Sequence, residues 1–166
     1  MKNTRRNFLQ KLGLGTIALG VLPKIGNATT NISQTNKPIV LSTWDFGIKA
    51  NEQAWEVLAK GGRAIDAVEV GVRLTEADPS ERSVGYGGRP DRDGKVTLDA
   101  CIMDDQANIG SVAALEHIKH PISVARKVMD QTPHVMLVGA GALQFAKDQG
   151  FKEENLLTEE SEKEWR

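Results

Sequence analysis

A single cysteine, Cys101, leaves this chain without the possibility of an internal disulfide. No basic cluster is present either. Lys2, Arg5, Arg6, Lys11 and Lys24 all fall within residues 1–28, where no acid occurs, and they take up five of the 21 basic residues. The rest of the chain sets sixteen bases against 22 acids, a mildly acidic body that excludes the electrostatic footprint of a nucleic-acid binder. No apolar run approaches the roughly 20 residues of a membrane-spanning helix. No Gly-x-Ser-x-Gly elbow anchors a serine hydrolase. Gly139-Ala140-Gly141 follows an apolar run, but Gln144 stands where a dinucleotide fingerprint needs its third glycine, and no acidic residue closes a following strand. Asp91-x-Asp93-Gly94 lacks the remaining ligands of a calcium loop and reads as a turn. His117 and His120 have no third ligand nearby, so no metal centre is expected.

What is present begins with an address. Residues 1–28 have the three parts of an export signal: a basic region, the apolar run Leu12–Leu22, and small residues at Gly26-Asn27-Ala28. Within it Thr4-Arg5-Arg6-Asn7-Phe8-Leu9 resembles the twin-arginine signal of bacteria, with Arg5, Arg6, Phe8 and Leu9 as its readable positions. The alternative is an ordinary secretory signal. Either implies export to the periplasm or beyond, with no membrane contact except the export machinery. Residues 29–37 are polar and read as a flexible lead-in to one domain over 38–166.

The domain alternates strand and helix signals. Pro38–Trp44 reads as a buried strand, broken by Asp45-Phe46-Gly47. A helix is predicted over Asn51–Lys60, ended by Gly61-Gly62. A second is predicted over Arg63–Ala77, with Ala64, Val68, Val72 and Thr75 as its stripe and Ile65 beside them. Ala67 and Gly71, four apart, would let another element approach closely. Val96, Leu98, Ala100 and Ile102 alternate with Thr97, Asp99, Cys101 and Met103, a period of two that predicts a strand. Ile109–Leu115 is its antiparallel return. Cys101 is expected in the core. His120-Pro121 opens a helix with proline in its favoured first position, and Ile122, Ala125, Val128 and Met129 form its stripe. His134–Val138 reads as a buried strand, Ala142–Gln149 as a helix, and Thr158 as the N-cap of a last helix that has barely begun at Arg166. A helix cut so short reads as part of a longer protein.

Ser83–Asp104 organises the rest. Gly85, Gly87, Gly88 and Gly94 fall within ten positions and lead into the alternating strand. No helix follows directly and no lysine stands in phosphate-loop spacing, so the loop is expected to place the strand rather than cradle a phosphate. Trp44, at the end of the first apolar run, is either a core tryptophan or an aromatic facing a cleft. Trp55 and Trp165 read as structural.

Five segments carry a resemblance. Leu41–Gly47, Glu81–Pro90, Val96–Asp104, Ile118–Arg126 and Thr132–Gly139 match, in order and spacing, the glycosylasparaginase (aspartylglucosaminidase) family of N-terminal nucleophile hydrolases. The resemblance covers residues 37–166. It implies an α+β fold, here an incomplete part of a four-layer α-β-β-α sandwich. It also implies an amidohydrolase that cleaves the N4-(β-N-acetylglucosaminyl)-L-asparagine bond without metal or organic cofactor. In that family the precursor cuts itself before a threonine, which becomes the nucleophile. This sequence has neither an Asp-Thr nor a Thr-Gly pair, so the nucleophile is absent and the chain alone is expected to be inactive. The resemblance implies substrate contacts from Trp44 and Phe46. Its implied partner is the C-terminal, β-subunit part of the same precursor, with a dimer of αβ units when complete. The alternatives are an asparaginase or isoaspartyl dipeptidase of the same superfamily, and a secreted module without enzymatic function.

Overall fold

The computed structural model describes residues 37–166, so the export signal, including Arg5, Arg6, Phe8 and Leu9, lies outside the described residues. Residues Pro38–Arg166 form one compact unit of mixed α+β character. Its elements are α1 (Gly47–Ala59), α2 (Ala64–Ala77), β1 (Leu98–Met103), β2 (Ile109–Leu115), α3 (Pro121–Gln131), β3 (Leu137–Val138), α4 (Gly139–Asp148) and α5 (Glu159–Trp165). The sheet runs β1-β2-β3, with β1 antiparallel to β2 and β3 parallel to it.

The hairpin forms where the alternation places it. Val96, Leu98 and Ile102 are buried and Thr97, Asp99, Cys101 and Met103 exposed, so one face of β1 meets the core. Asp104 makes the turn: its carboxylate accepts N–H bonds from Gln106 and Asn108, both at 2.9 Å. Val112 and Leu115 on β2 pack against Val124, Ala125 and Val128 of α3, all almost fully buried. Each such aliphatic side chain contributes about 1.5–3 kcal/mol on burial, so this helix–sheet contact dominates the domain's stability. The proline at the first position of α3 starts that helix as expected. A polar seam joins α3 to α2. Ser123 Oγ donates to Glu69 at 2.6 Å and accepts from Arg73 at 2.9 Å, while Arg126 bridges Asp66 and Asp130.

Four expectations need correction. Pro38–Trp44 is not a buried strand: residues 37–42 have no regular structure, and Leu41 is 87% exposed. An apolar run marks a segment that wants burial, but a strand also needs a ladder for its N–H and C=O groups, and none of the three strands offers one here. For the same reason His134–Val138 shrinks to two strand residues, with Val135, Met136 and Val138 exposed. The helices α1 and α4 start earlier than expected, at Gly47 and Gly139. Glycine can occupy a first turn as well as stop a helix, and Gly47 N–H already bonds the Trp44 carbonyl at 2.8 Å. On α2 the buried side is Ile65, Ala67, Gly71, Thr75 and Glu76, whereas Ala64 and Val68 are exposed. The close approach at Ala67 and Gly71 is real: α1 crosses there, with the Ala50 carbonyl 2.6 Å from where a Gly71 side chain would start.

The last helix closes onto the glycine-rich loop. Thr158 caps α5 through a bond from Ser161 N–H, as its position predicts. Ser161 Oγ then donates to the Gly87 carbonyl, and Gly87 N–H bonds the Leu156 carbonyl at 2.8 Å. Arg82 pairs with Glu160 and Glu164. These exposed pairs are worth little each, so the buried Ser161 and Leu156 bonds hold the contact.

Candidate substrate cleft

Among the described residues a concavity with a volume of about 460 Å³ is built from five pieces of chain. Ser42, Thr43, Trp44 and Phe46 come from the segment ahead of α1. Thr75 and Glu76 come from the end of α2, and Ser83, Val84 and Gly85 from the glycine-rich loop. Thr97–Cys101 lead into and along β1, and Pro121 and Ile122 begin α3. Four of the five sequence stretches that carry the family resemblance therefore meet at one place, and Thr132–Gly139 lies outside it.

Trp44 and Phe46 both line this cleft. Trp44 is 69% exposed, so it is no core tryptophan; Phe46 is half-buried. Trp55 is also substantially exposed, on α1. Cys101 is not in the core: it lies on the exposed face of β1 and on the cleft wall. The strand period that buries Leu98 and Ile102 turns Cys101 outward, and this outweighs the residue's general tendency to be buried. Asp99 is fixed by accepting the Ala114 N–H at 2.7 Å, beside the irregularity in the β1–β2 register.

The glycine-rich loop does what its glycines predict. Gly85 has φ +60°, and a side chain there would start 2.1 Å from the Glu76 carbonyl oxygen. Gly88 lies against Val96, with 3.2 Å between its would-be side chain and the Val96 methyl. The loop thus seats the beginning of the strand and forms one cleft wall.

Glu76 is the polar centre that the sequence analysis passed over. It is 3% exposed. One carboxylate oxygen accepts the Ile122 N–H at 3.0 Å, within the first turn of α3, and the other lies 3.2 Å from His120 Nδ1. Burial pushes its carboxyl above the ordinary carboxylate range, against the downward pull of the His120 and Ile122 bonds and of the positive charge on His120 and Arg73. A signal was available: Ile65, Val72 and Glu76 lie seven and then four residues apart on one helix face, so a carboxyl sits on the apolar stripe. The shift has a consequence for folding. The folded chain keeps the Glu76 proton at a pH where the unfolded chain has lost it, so stability falls as pH rises from the ordinary carboxylate range through the folded value. Glu76→Gln is expected to flatten that slope. Urea unfolding midpoints measured from about pH 4 to pH 7 check it, and a variant with the parent's slope would contradict it.

His117 and His120 do not share a face. His117 sits in a loop with φ +63°, while His120 flanks α3 and faces Glu76. Among the described residues no group of three or more His, Cys, Asp or Glu is placed to hold a metal ion, and no helix is long and apolar enough to cross a membrane.

Among the described residues no serine or threonine hydroxyl and no thiol hydrogen-bonds a histidine ring. The cleft thus combines an aromatic wall, several hydroxyls and a buried carboxyl. Residues 21–166 match the family model described as Asparaginase, and the chain belongs to that family. It is 68% identical over 169 aligned positions to the N(4)-(β-N-acetylglucosaminyl)-L-asparaginase of Elizabethkingia miricola, an alignment covering 100% of this chain and 50% of the relative. It is 46% identical to the mouse protein of that name and 47% identical to the rat protein, each over 75% of this chain and 36% of the relative. The chain thus spans about half, or less, of the length of these relatives.

Proposed function

We propose that this chain is the N-terminal, α-subunit part of an exported amidohydrolase that cleaves the bond between N-acetylglucosamine and the asparagine side chain. The observation that carries the proposal is the match across the whole chain to half of a relative bearing that name, joined to a cleft whose hydroxyls and thiol hydrogen-bond no histidine ring among the described residues. The complementary half would supply the threonine, freed by self-cleavage, whose own amino group serves as the base when its hydroxyl attacks the amide carbon. The amide C–N bond then breaks as the amino group returns the proton to the departing N-acetylglucosaminylamine, and water hydrolyses the β-aspartyl ester left on the threonine to release aspartate. Trp44 and Phe46 would line the substrate's path to that threonine. The second half would also complete the four-layer sandwich by giving Pro38–Trp44 and His134–Val138 the neighbours they lack, and two such αβ units would pair. The signal at Arg5, Arg6, Phe8 and Leu9 would send the folded precursor out of the cytoplasm.

The test joins residues 38–166 to the half of the Elizabethkingia miricola relative that this chain does not match. The product is offered glucosaminyl-asparagine, asparagine and a β-aspartyl dipeptide in parallel. Self-cleavage into two subunits and release of aspartate from glucosaminyl-asparagine are expected, with no turnover by the 166-residue chain alone. Preference for either other substrate would move the assignment to a sister activity. Absence of both cleavage and turnover would favour a non-enzymatic module.

A further inference from the structure

Glu76 is bound on two sides. Its carboxylate reaches α3, through the Ile122 N–H and His120; its backbone carbonyl accepts the Tyr86 N–H at 2.8 Å from the glycine-rich loop. Gly85 presses onto the same backbone more closely than any side chain would allow. Thr75–Glu76, Ser83–Gly85 and Pro121–Ile122 are three of the five pieces of the cleft. One residue therefore joins the end of α2, the loop and the start of α3.

A buried carboxyl costs stability unless its bonds compensate. An apolar residue in this place would fill the same volume without that cost, and such replacements are often neutral or stabilising in a core. Packing alone therefore gives no reason for a carboxyl here. Its position gives one: the first turn of α3 has N–H groups with no partner inside the helix, and a side chain from another element that accepts one of them fixes where the helix begins. Arg73 on α2 and His120, just ahead of α3, are the charged or titratable groups that face it.

We infer that Glu76 is a positioning residue for the cleft: its carboxylate ties the start of α3 to the end of α2, whose backbone already holds the glycine-rich loop, and so makes the cleft floor one rigid piece against which the asparagine-type substrate is held. The substrate part of this inference rests on the function proposed above; the rigidity part does not. Loss of the tie should loosen the floor, weaken substrate binding more than the chemical step, and leave the rest of the core intact.

The joined two-part protein described above is made as parent, Glu76→Leu and Glu76→Gln. Leucine fills the space but accepts nothing. Glutamine can still accept the Ile122 N–H and can donate to a neutral His120 ring. Hydrogen exchange followed by mass spectrometry reads the segments 83–88 and 120–123, with 124–128 as the internal reference. Steady-state kinetics on glucosaminyl-asparagine reads KM and kcat separately. For Glu76→Leu, exchange at 120–123 should rise by about tenfold while the reference, and 83–88 with its bond to the backbone carbonyl that leucine keeps, hold; KM should rise about tenfold with kcat within about threefold of the parent. Glu76→Gln should stay within about twofold of the parent in all of these. The proposal fails if Glu76→Leu leaves exchange and KM unchanged, if its exchange rises equally in the reference segment, or if Glu76→Gln is as impaired as Glu76→Leu. Should Glu76→Leu not fold, His120→Ala decides. Removing one of the two carboxylate contacts should speed exchange at 120–123 and raise KM in part, and no change in either would overturn the inference. A parent that hydrolyses nothing removes the functional reading, while the exchange measurement still decides whether Glu76 fixes the floor.

Discussion

Gly110→Ala is expected to cost the domain about 3 kcal/mol or more and to lower the melting temperature of the joined two-part protein by about 5 °C or more. Gly110 is buried in β2, paired with Ile102, where α3 crosses the sheet. A side chain there would start 2.1 Å from the Ala125 carbonyl oxygen and 2.6 Å from the Met129 nitrogen. Both are backbone atoms of a helix, so no rotamer change can clear them. Either β2 or α3 must move, and the Val112, Leu115, Val124 and Val128 contacts that dominate the core move with it. Against a typical net stability of about 5–15 kcal/mol this is a large fraction. Gly141→Ala is the control. It lies in α4 with nothing within 4 Å of its would-be side chain, and alanine there should add up to about 1 kcal/mol through helix propensity. Thermal melts of the three proteins check both signs. A Gly110→Ala melting temperature within about 2 °C of the parent would show that the helix–sheet contact yields more easily than backbone packing allows.

The parts of this fold that were legible are those whose signals are local. Val96 to Met103 alternates because one face of β1 meets α3 and the other does not, and that asymmetry is written at a period of two. His120-Pro121 and Thr158 announce helix starts through the chemistry of the first turn, which needs no knowledge of the rest of the chain. The failures are all questions about partners. Pro38–Trp44 and His134–Val138 have the composition of buried strands, yet composition does not say which ladder they join. Val68 sits on a plausible apolar stripe, but α1 meets α2 at Ala67 and Gly71 and turns the buried arc away from it.

The site divides in the same way. The glycine-rich loop was legible as tight backbone beside the strand, and Gly85 and Gly88 occupy that role. Trp44 and Phe46 were singled out by resemblance; periodicity alone left Trp44 between core and cleft. Cys101 went to the wrong side because a residue-type average was preferred to the strand period around it. Glu76 was missed because an acid in a helix is ordinarily a solvated one, and its spacing from Ile65 and Val72 was not weighed.

Trp44→Ala is expected to lower kcat/KM for glucosaminyl-asparagine by about 100-fold in the joined protein, mostly through KM, with the melting temperature nearly unchanged. The expectation follows from where the indole stands. It is 69% exposed in the free chain, so little core packing depends on it, yet it lines the cleft together with Phe46 and with Thr97–Cys101. An aromatic side chain in that position has apolar surface still to bury, and truncating a central aromatic anchor commonly costs about 2–4 kcal/mol of binding. A loss of about 2.7 kcal/mol corresponds to the 100-fold change. Because an indole is neither an acid–base group nor a nucleophile at ordinary pH, its contribution should be nearly equal in the bound substrate and in the transition state. That is the pattern of a raised KM with kcat preserved. Trp44→Phe, which keeps an aromatic face, should recover most of the loss. Kinetics and melts on the two variants test this together. A Trp44→Ala protein that melts much lower than the parent would make the tryptophan structural. A KM that does not move would take Trp44 out of the substrate's path and leave Phe46 as the aromatic to test.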